Sequence, residues 1–203
     1  VRAAHALADL AREARDMGLR LRHLDLGGGL GIAYDGTSPP DPVRYAAFIA
    51  PIVKATGLDL LLEPGRYLVG PAGILVGRIA DLKCYPGSPR FMVLDTGMTE
   101  LIRPALYGAC HRMAAVTPRA GDQQVYDVVG PLCETSDTIG HDRRFGPVEV
   151  GDEVAIFDAG AYGIVMASNY NRRRFPAEVL VDQGRWEIIR RRQSYDDLMA
   201  LEA

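Results

Sequence analysis

Seven side chains in this sequence stand in settings that could do chemistry: Glu63, Arg66, Arg103, Tyr107, Cys133, Glu134 and Tyr162. Glu63 and Arg66 belong to Glu63-Pro64-Gly65-Arg66, directly after the apolar run 58–62. Residues just past the C-terminal end of a barrel strand line an active site. A carboxylate and a guanidinium there are either ligand-binding groups or a structural ion pair. Arg103 and Tyr107 lie four apart in TELIRPALY, hence on one face of any helical turn. A fixed arginine beside a phenol suits bidentate capture of a carboxylate; the plainer reading is a surface arginine. Pro104 counts against a full helix there, though not against a turn. Cys133 and Glu134 sit in GPLCETSD, after the strand-like VYDVVG. A lone cysteine is either an inert core residue or, set among carboxylates in a turn-rich loop, an acid or nucleophile. Tyr162, in FDAGAYG, stands between small residues, where its hydroxyl reaches a ligand or its ring simply packs.

A glycine cluster is the other candidate. Leu21, Leu24 and Leu26 form a short apolar run that ends in Gly27, Gly28, Gly29 and Gly31. That pattern predicts a buried strand stopping at a tight turn. Without Cβ atoms the backbone can approach a ligand closely, and convergent N–H groups suit a phosphate. The spacing is not that of a dinucleotide fingerprint, and no Lys-Ser/Thr pair follows as in a P-loop. A glycine-rich loop with no ligand is the alternative.

These residues need elements to hold them. Residues 1–18 carry Ala4, Leu7, Ala8, Ala11 and Ala14 at helical spacing, with Gly18 placed to end the helix. The glycine-ended strand follows, then a turn-rich loop 34–42, a second helix over 42–56 stopped by Gly57, and the strand 58–62. Helix, strand, helix, strand is how part of an α/β barrel or doubly wound sheet reads, and two such units cannot close either form. From Pro71 onward short β-rich segments dominate: 74–80, 90–95, 124–129, 153–157, 177–181 and 185–190. Their spacing predicts an antiparallel sandwich or barrel. A short helix over 194–202 closes the chain, with Ser194 as N-cap.

The 203 residues are 48% hydrophobic and 24% charged with a net charge of −3, an ordinary soluble globular balance. Nothing in it supports nucleic-acid or membrane binding, and no apolar run reaches the length of a membrane span. Arg172–174 and Arg190–192 are solvated or interface charges. Three scattered cysteines, Cys84, Cys110 and Cys133, fit a reducing cytoplasm rather than a disulfide framework. His5, His23, His111 and His141 are isolated by metal-ligand spacing, so no metal is expected; His23 shares a strand face with Asp25. The chain opens at Val1 inside a helical pattern, which is expected of a fragment.

Taken in order, GGGLG, EPGRYLV, MTELIRPALYGA, GPLCETSD and FDAGAYG closely resemble the C-terminal half of the diaminopimelate decarboxylase family, over essentially the whole chain. The resemblance implies the C-terminal part of a pyridoxal-phosphate-binding (β/α)8 TIM barrel over 1–70, then an antiparallel β-sandwich or barrel domain over 71–203. The implied activity is decarboxylation of meso-2,6-diaminopimelate to L-lysine and CO2, with pyridoxal 5′-phosphate as cofactor. Gly28 and Gly29 would cradle the cofactor phosphate with Gly65, Arg66 and the Tyr162 hydroxyl. Glu63 would face the pyridine nitrogen. Arg66, Arg103 and Tyr107, with Tyr162, would form the substrate-binding set, Glu134 would hold the distal ammonium, and Cys133 would be the catalytic acid. In the family the Cys-Glu pair serves the neighbouring subunit, which implies a homodimer. Relatives acting on ornithine or arginine carry an aspartate after the cysteine, so Glu134 points to diaminopimelate. The ornithine/arginine type and a non-catalytic binding homologue are the other readings. The chain departs from the family in its lysines: Lys54 and Lys83 are its only two, and neither falls in a matching motif. The Schiff-base lysine is therefore expected in a missing N-terminal half, and the chain alone is expected to be inactive.

Overall fold

A computed structural model of the chain describes residues 2–34 and 37–202. Val1, Ala203 and the Asp35-Gly36 pair of the expected 34–42 loop lie outside the described residues. The chain divides into two compact units, one ending at Ala72 and the other starting at Gly73.

The first unit runs α1 (Arg2–Asp16), β1 (His23–Asp25), α2 (Pro42–Lys54), β2 (Asp59–Leu61) and α3 (Gly65–Val69). Ala4, Ala8 and Ala11 are the buried side chains of α1; small residues at helical spacing let a neighbour approach closely. The helix ends before Gly18, whose φ of +87° is one that L side chains resist. Asp41 caps α2 by accepting the Val43 N–H at 2.8 Å, and Pro42 fills the first helical position, where no N–H is needed. β1 and β2 pair in parallel, His23 opposite Asp59 and Asp25 opposite Leu61. Ala11, Leu24, Val53 and Leu58 form the small core of this unit. Two parallel strands are not a barrel, so the barrel fragment expected over 1–70 is present only as these β/α elements.

The second unit holds β3 (Leu75–Cys84), β4 (Arg90–Leu94), α4 (Arg103–Tyr107), β5 (Met113–Ala115), β6 (Gln124–Val129), β7 (Thr138–Phe145), β8 (Glu153–Ile156), β9 (Glu178–Asp182), β10 (Arg185–Arg190) and α5 (Tyr195–Met199). Six strands form one sheet in the order β5-β8-β3-β4-β6-β7. The ten residues of β3 pair with β8 through Leu75–Arg78 and with β4 through Ile79–Cys84, with an irregularity between Ile79 and Asp81. Such a break bends a strand, and here the edge strands β5 and β7 approach each other, leaving the sheet nearly closed. Alternation turns Met92 and Leu94 of β4, and Tyr126 and Val128 of β6, inward onto Ile79, Leu101, Ile139, Phe145, Val154 and Ile156.

Two expectations need correction. The sheet is not purely antiparallel, because β4 and β6 run parallel, Phe91 opposite Asp127 and Val93 opposite Val129. The chain returns between them through α4 and β5, the long crossover that a parallel pair demands. β9 and β10 are not members of the six-stranded sheet but pair as a separate two-stranded hairpin. Gln183 and Gly184 form its two-residue turn with φ of +47° and +76°, the pairing that matches strand twist. The C-terminal helix is confined to Tyr195–Met199, where Ser194 and Asp197 cap each other reciprocally.

Candidate active site

In the first unit the glycine loop and the EPGR turn leave the C-terminal ends of adjacent parallel strands. The Leu26 N–H donates to the Leu61 carbonyl at 3.1 Å, and the Glu63 N–H donates to the Gly27 carbonyl at 2.8 Å. The Asp25 carboxylate accepts the Gly27 N–H at 2.7 Å and starts the turn. Gly29 then takes φ of +90°, and its missing Cβ would meet no other atom within 4 Å. At Gly28 a Cβ would stand 2.7 Å from the Glu63 carbonyl oxygen, so this approach of the two loops requires glycine. The Gly65 N–H donates back to the Glu63 carbonyl at 2.8 Å, and Gly65 also presents open space. Gly28, Gly29, Glu63, Gly65 and Arg66 are thus brought together, with Glu63 and Arg66 exposed. Two side-chain-free loops with a guanidinium beside them fit a phosphorylated ligand.

In the second unit Arg103 begins α4. Pro104 sits in the first turn, where it supports the helix rather than breaking it, and Gly108 ends it at φ of +61°. The helix points its two candidate residues differently: Arg103 is 6% exposed and Tyr107 64%. An Arg103 Nη1–H donates to His111 Nε2 at 3.1 Å, and the Nδ1–H of the same ring donates to the Phe157 carbonyl at 2.9 Å. An arginine can only donate, so the imidazole presents a lone pair at Nε2 and carries its proton on Nδ1. Burial pushes the His111 pKa below its ordinary value, and the Arg103 charge adds to that shift.

The GPLCETSD loop is built around Asp137, 3% exposed. One oxygen of Asp137 accepts the Met98 N–H at 2.7 Å and the other the Leu132 N–H at 2.9 Å. Its own N–H donates to the Glu134 carbonyl at 3.0 Å, closing the turn that carries Cys133 and Glu134. Cys133 is an exposed free thiol. The Glu134 carboxylate accepts the Ser136 N–H at 3.2 Å, the Ser136 hydroxyl at 3.0 Å and the Tyr170 hydroxyl at 3.4 Å. Its pKa is lowered, first by the Ser136 N–H and then by the Ser136 hydroxyl, so it stays an anion aimed by two neighbours.

Tyr162 is held at φ of +58°, a left-handed conformation that costs a bulky residue about 1–2 kcal/mol. Its loop is pinned at both ends. The Ala159 N–H donates to the Gly73 carbonyl at 2.9 Å, and a Cβ on Gly73 would lie 2.4 Å from Gly160 Cα. A Cβ on Gly163 would lie 2.3 Å from the Ala159 carbonyl oxygen. Strain of this kind persists only where packing over-determines it, and it marks functional loops.

Within this unit Asp137 links the Cys133-Glu134 loop to the 96–99 turn just before Arg103. The roles of Asp137, Ser136, Tyr170 and His111 were not assigned from sequence. Asp137 and Ser136 lie inside a recognised motif, but His111 is a lone histidine and Tyr170 stands 36 residues from Glu134. A hollow of about 440 Å³ also lies here, lined by Pro104, Gly108, Cys110, Ser136, His141 and Arg143 among others, and by none of the candidate site residues. Among the described residues no group of three or more His, Cys, Asp or Glu could hold a metal ion. No helix among them is long and apolar enough to cross a membrane.

This sheet, with its arginine helix and Cys-Glu loop, defines a class. Residues 31–160 match the C-terminal sheet domain of the pyridoxal-dependent decarboxylases, and the chain belongs to that family. Within the family it is 44% identical to the diaminopimelate decarboxylase of Archaeoglobus fulgidus, over 98% of this chain and 49% of that protein. It superposes on the crystal structure of Helicobacter pylori diaminopimelate decarboxylase complexed with L-lysine at a TM-score of 0.90. Identity there is 35%, covering 98% of this chain and 49% of that one. Against the L-lysine co-complex of the M. jannaschii enzyme the TM-score is 0.93 at 37% identity, covering 99% and 47%. The chain spans about half the length of the curated relatives it matches.

Proposed function

We propose that this chain supplies the C-terminal part of a pyridoxal-phosphate-dependent carboxy-lyase that converts meso-2,6-diaminopimelate to L-lysine and CO2. The observation that carries this reading is that the chain presents a buried cation, Arg103, and, for the site of a second subunit, an oriented anion, Glu134, with the Cys133 thiol beside the anion. A substrate with an amine and a carboxylate at each end needs both charges fixed. An ornithine-like substrate has no second carboxylate to satisfy. The names of the relatives, and the L-lysine bound to two of the solved structures, support the same choice.

The roles follow from the chemistry of each group. Residues 1–70 contribute β/α elements to a cofactor-binding barrel that the chain alone does not contain, and residues 71–203 form the β-domain. The open loops at Gly28, Gly29 and Gly65, with Arg66, hold the phosphate of pyridoxal 5′-phosphate, and Tyr162 adds its hydroxyl in the assembled enzyme. Glu63 faces the pyridine nitrogen and keeps it protonated. When bound, the cofactor supplies a sink for the electron pair left behind as CO2 departs. Arg66, Arg103, Tyr107 and Tyr162 bind and orient the substrate, and Glu134 takes its distal ammonium. The Cys133 Sγ–H gives its proton to the carbon that has lost CO2, fixing the stereochemistry of the product. Cys133 and Glu134 serve the site of a second subunit, so the working form is a homodimer.

Lys54 ends α2, and Lys83 lies on β3 beside Asp81 at 3.8 Å. Neither falls in a motif that matches the family, so the lysine that anchors the cofactor is expected from outside these 203 residues. The three free thiols suit a cytoplasmic enzyme. The test is growth: the natural gene product carrying this sequence is expressed in a bacterium lacking its own diaminopimelate decarboxylase. Growth without lysine is the expected result. No growth with the protein present and folded contradicts the reading.

A further inference from the structure

Arg103 is a buried guanidinium whose bonded partner at Nη1 is an imidazole. His111 is completely buried, and it spans from α4 to the Phe157 carbonyl, where the loop carrying Tyr162 begins. We propose that neutral His111 is a positioning residue that holds the Arg103 guanidinium in register for the substrate carboxylate. This rests on the reading of Arg103 given under Proposed function.

Three features carry the inference. A carboxylate at the place of His111 would cancel the Arg103 charge and compete with the substrate's own carboxylate. A neutral acceptor fixes the guanidinium without neutralising it. The ring is itself fixed by its Nδ1–H bond to a backbone carbonyl, which selects the tautomer whose Nε2 accepts. Arg103 and Arg143 oppose protonation of the ring and Asp158 favours it; burial outweighs Asp158. Asp158 is engaged by Arg112 at 3.2 Å. An imidazolium would set two cations 3.1 Å apart and break the Arg103–His111 hydrogen bond.

The test uses the natural gene product with three substitutions. Arg103→Gln is the reference. His111→Leu keeps bulk and cannot accept a hydrogen bond. His111→Gln can both accept from Arg103 and donate to Phe157, because its amide oxygen and nitrogen are spaced like the two ring nitrogens. The expected result is a roughly ten- to hundredfold rise in KM for meso-diaminopimelate in His111→Leu, with kcat within about threefold. His111→Gln should return KM to within about threefold of the unaltered protein. If His111→Leu does not fold, nitrogen-15 NMR of the unaltered protein decides, the signal being assigned by its loss in His111→Gln. A neutral Nδ1–H tautomer at pH 7 supports the proposal; an imidazolium or an Nε2–H tautomer overturns it. A raised KM in Arg103→Gln with an unchanged KM in His111→Leu overturns the role of His111 alone. An unchanged KM in Arg103→Gln, or no turnover by the unaltered protein, overturns the substrate reading and this proposal together.

Discussion

The Asp137 carboxylate accepts the backbone N–H of Met98, 39 residues earlier in the chain, at 2.7 Å, and so joins the turn before Arg103 to the loop of Cys133 and Glu134. Glycine is required on both sides of it. A Cβ at Gly97 would lie 2.3 Å from one Asp137 oxygen, and a Cβ at Gly130 2.2 Å from the other. Asp137→Ala leaves the Met98 and Leu132 N–H groups without their charged acceptor and should lower stability by about 2–4 kcal/mol. Gly130→Ala should cost about 1–3 kcal/mol by forcing the carboxylate to move. Urea unfolding of both variants checks these values, and turnover should fall with them because the Cys133 loop loses its anchor.

Glu134 is half-buried, and its charge matters to a ligand more than to the fold. Glu134→Gln should change stability by less than about 0.5 kcal/mol. It should raise KM for meso-diaminopimelate about ten- to hundredfold, since a charge-assisted bond to the distal ammonium is lost. Ser136→Ala should act in the same direction and more weakly, because it removes one of the hydrogen bonds that aim the carboxylate and keeps the carboxylate itself. Initial-rate kinetics on the three proteins separates these outcomes.

The buried imidazole gives stability a defined pH dependence. His111 binds a proton less readily folded than unfolded, so its contribution is fully present above about 6.5, the ordinary value. As pH falls below 6.5 the unfolded state takes up that proton first, and stability declines toward the lowered folded pKa. Thermal midpoints from pH 8 to pH 5 should show this slope in the unaltered protein and lose it in His111→Gln. The Arg119–Asp152 pair acts in a separate window. Arg119 holds the Asp152 carboxyl down to about 2, so its stabilisation is lost only as pH falls below about 4.

Lys54 ends α2 and Lys83 lies on β3, and neither falls in a motif that matches the family. Borohydride reduction of the 203-residue chain with pyridoxal phosphate should give no stoichiometric adduct on Lys54 or Lys83 by peptide mass spectrometry. A site-specific adduct on either, accompanied by CO2 release, would contradict the assignment.

The legible parts of the fold were those set by local pattern. The strands over 124–129 and 185–190 follow from their β-rich composition and the turn residues that bound them. β7 escaped because Thr138–Phe145 reads His141-Asp142-Arg143-Arg144 in its middle, and only Ile139, Gly140 and Phe145 face inward. The parallel β4–β6 pairing left no local trace, since pairing partners are fixed by the crossover and not by either strand. At the candidate site the motifs located the loops, but the glycine cluster reads in sequence as approaching a ligand, and at Gly28 the close neighbour is the Glu63 carbonyl oxygen. The supports lay beyond local reading. His111 meets Arg103 only because α4 ends at Gly108 and the chain turns back, and Tyr170 reaches Glu134 across 36 residues. Pro104 fits the single turn of α4 for a physical reason: a residue that breaks a helix interior is favoured in its first turn.

The central claim is the choice of substrate by one buried cation and one oriented anion. It is tested most directly by carboxyl-label release from meso-diaminopimelate, ornithine and arginine, measured side by side on the natural gene product with pyridoxal phosphate. The structure predicts CO2 from meso-diaminopimelate, with kcat/KM at least about a hundredfold above the other two, the discrimination expected when a buried charge is left without its partner. Equal or better release from ornithine or arginine would contradict it.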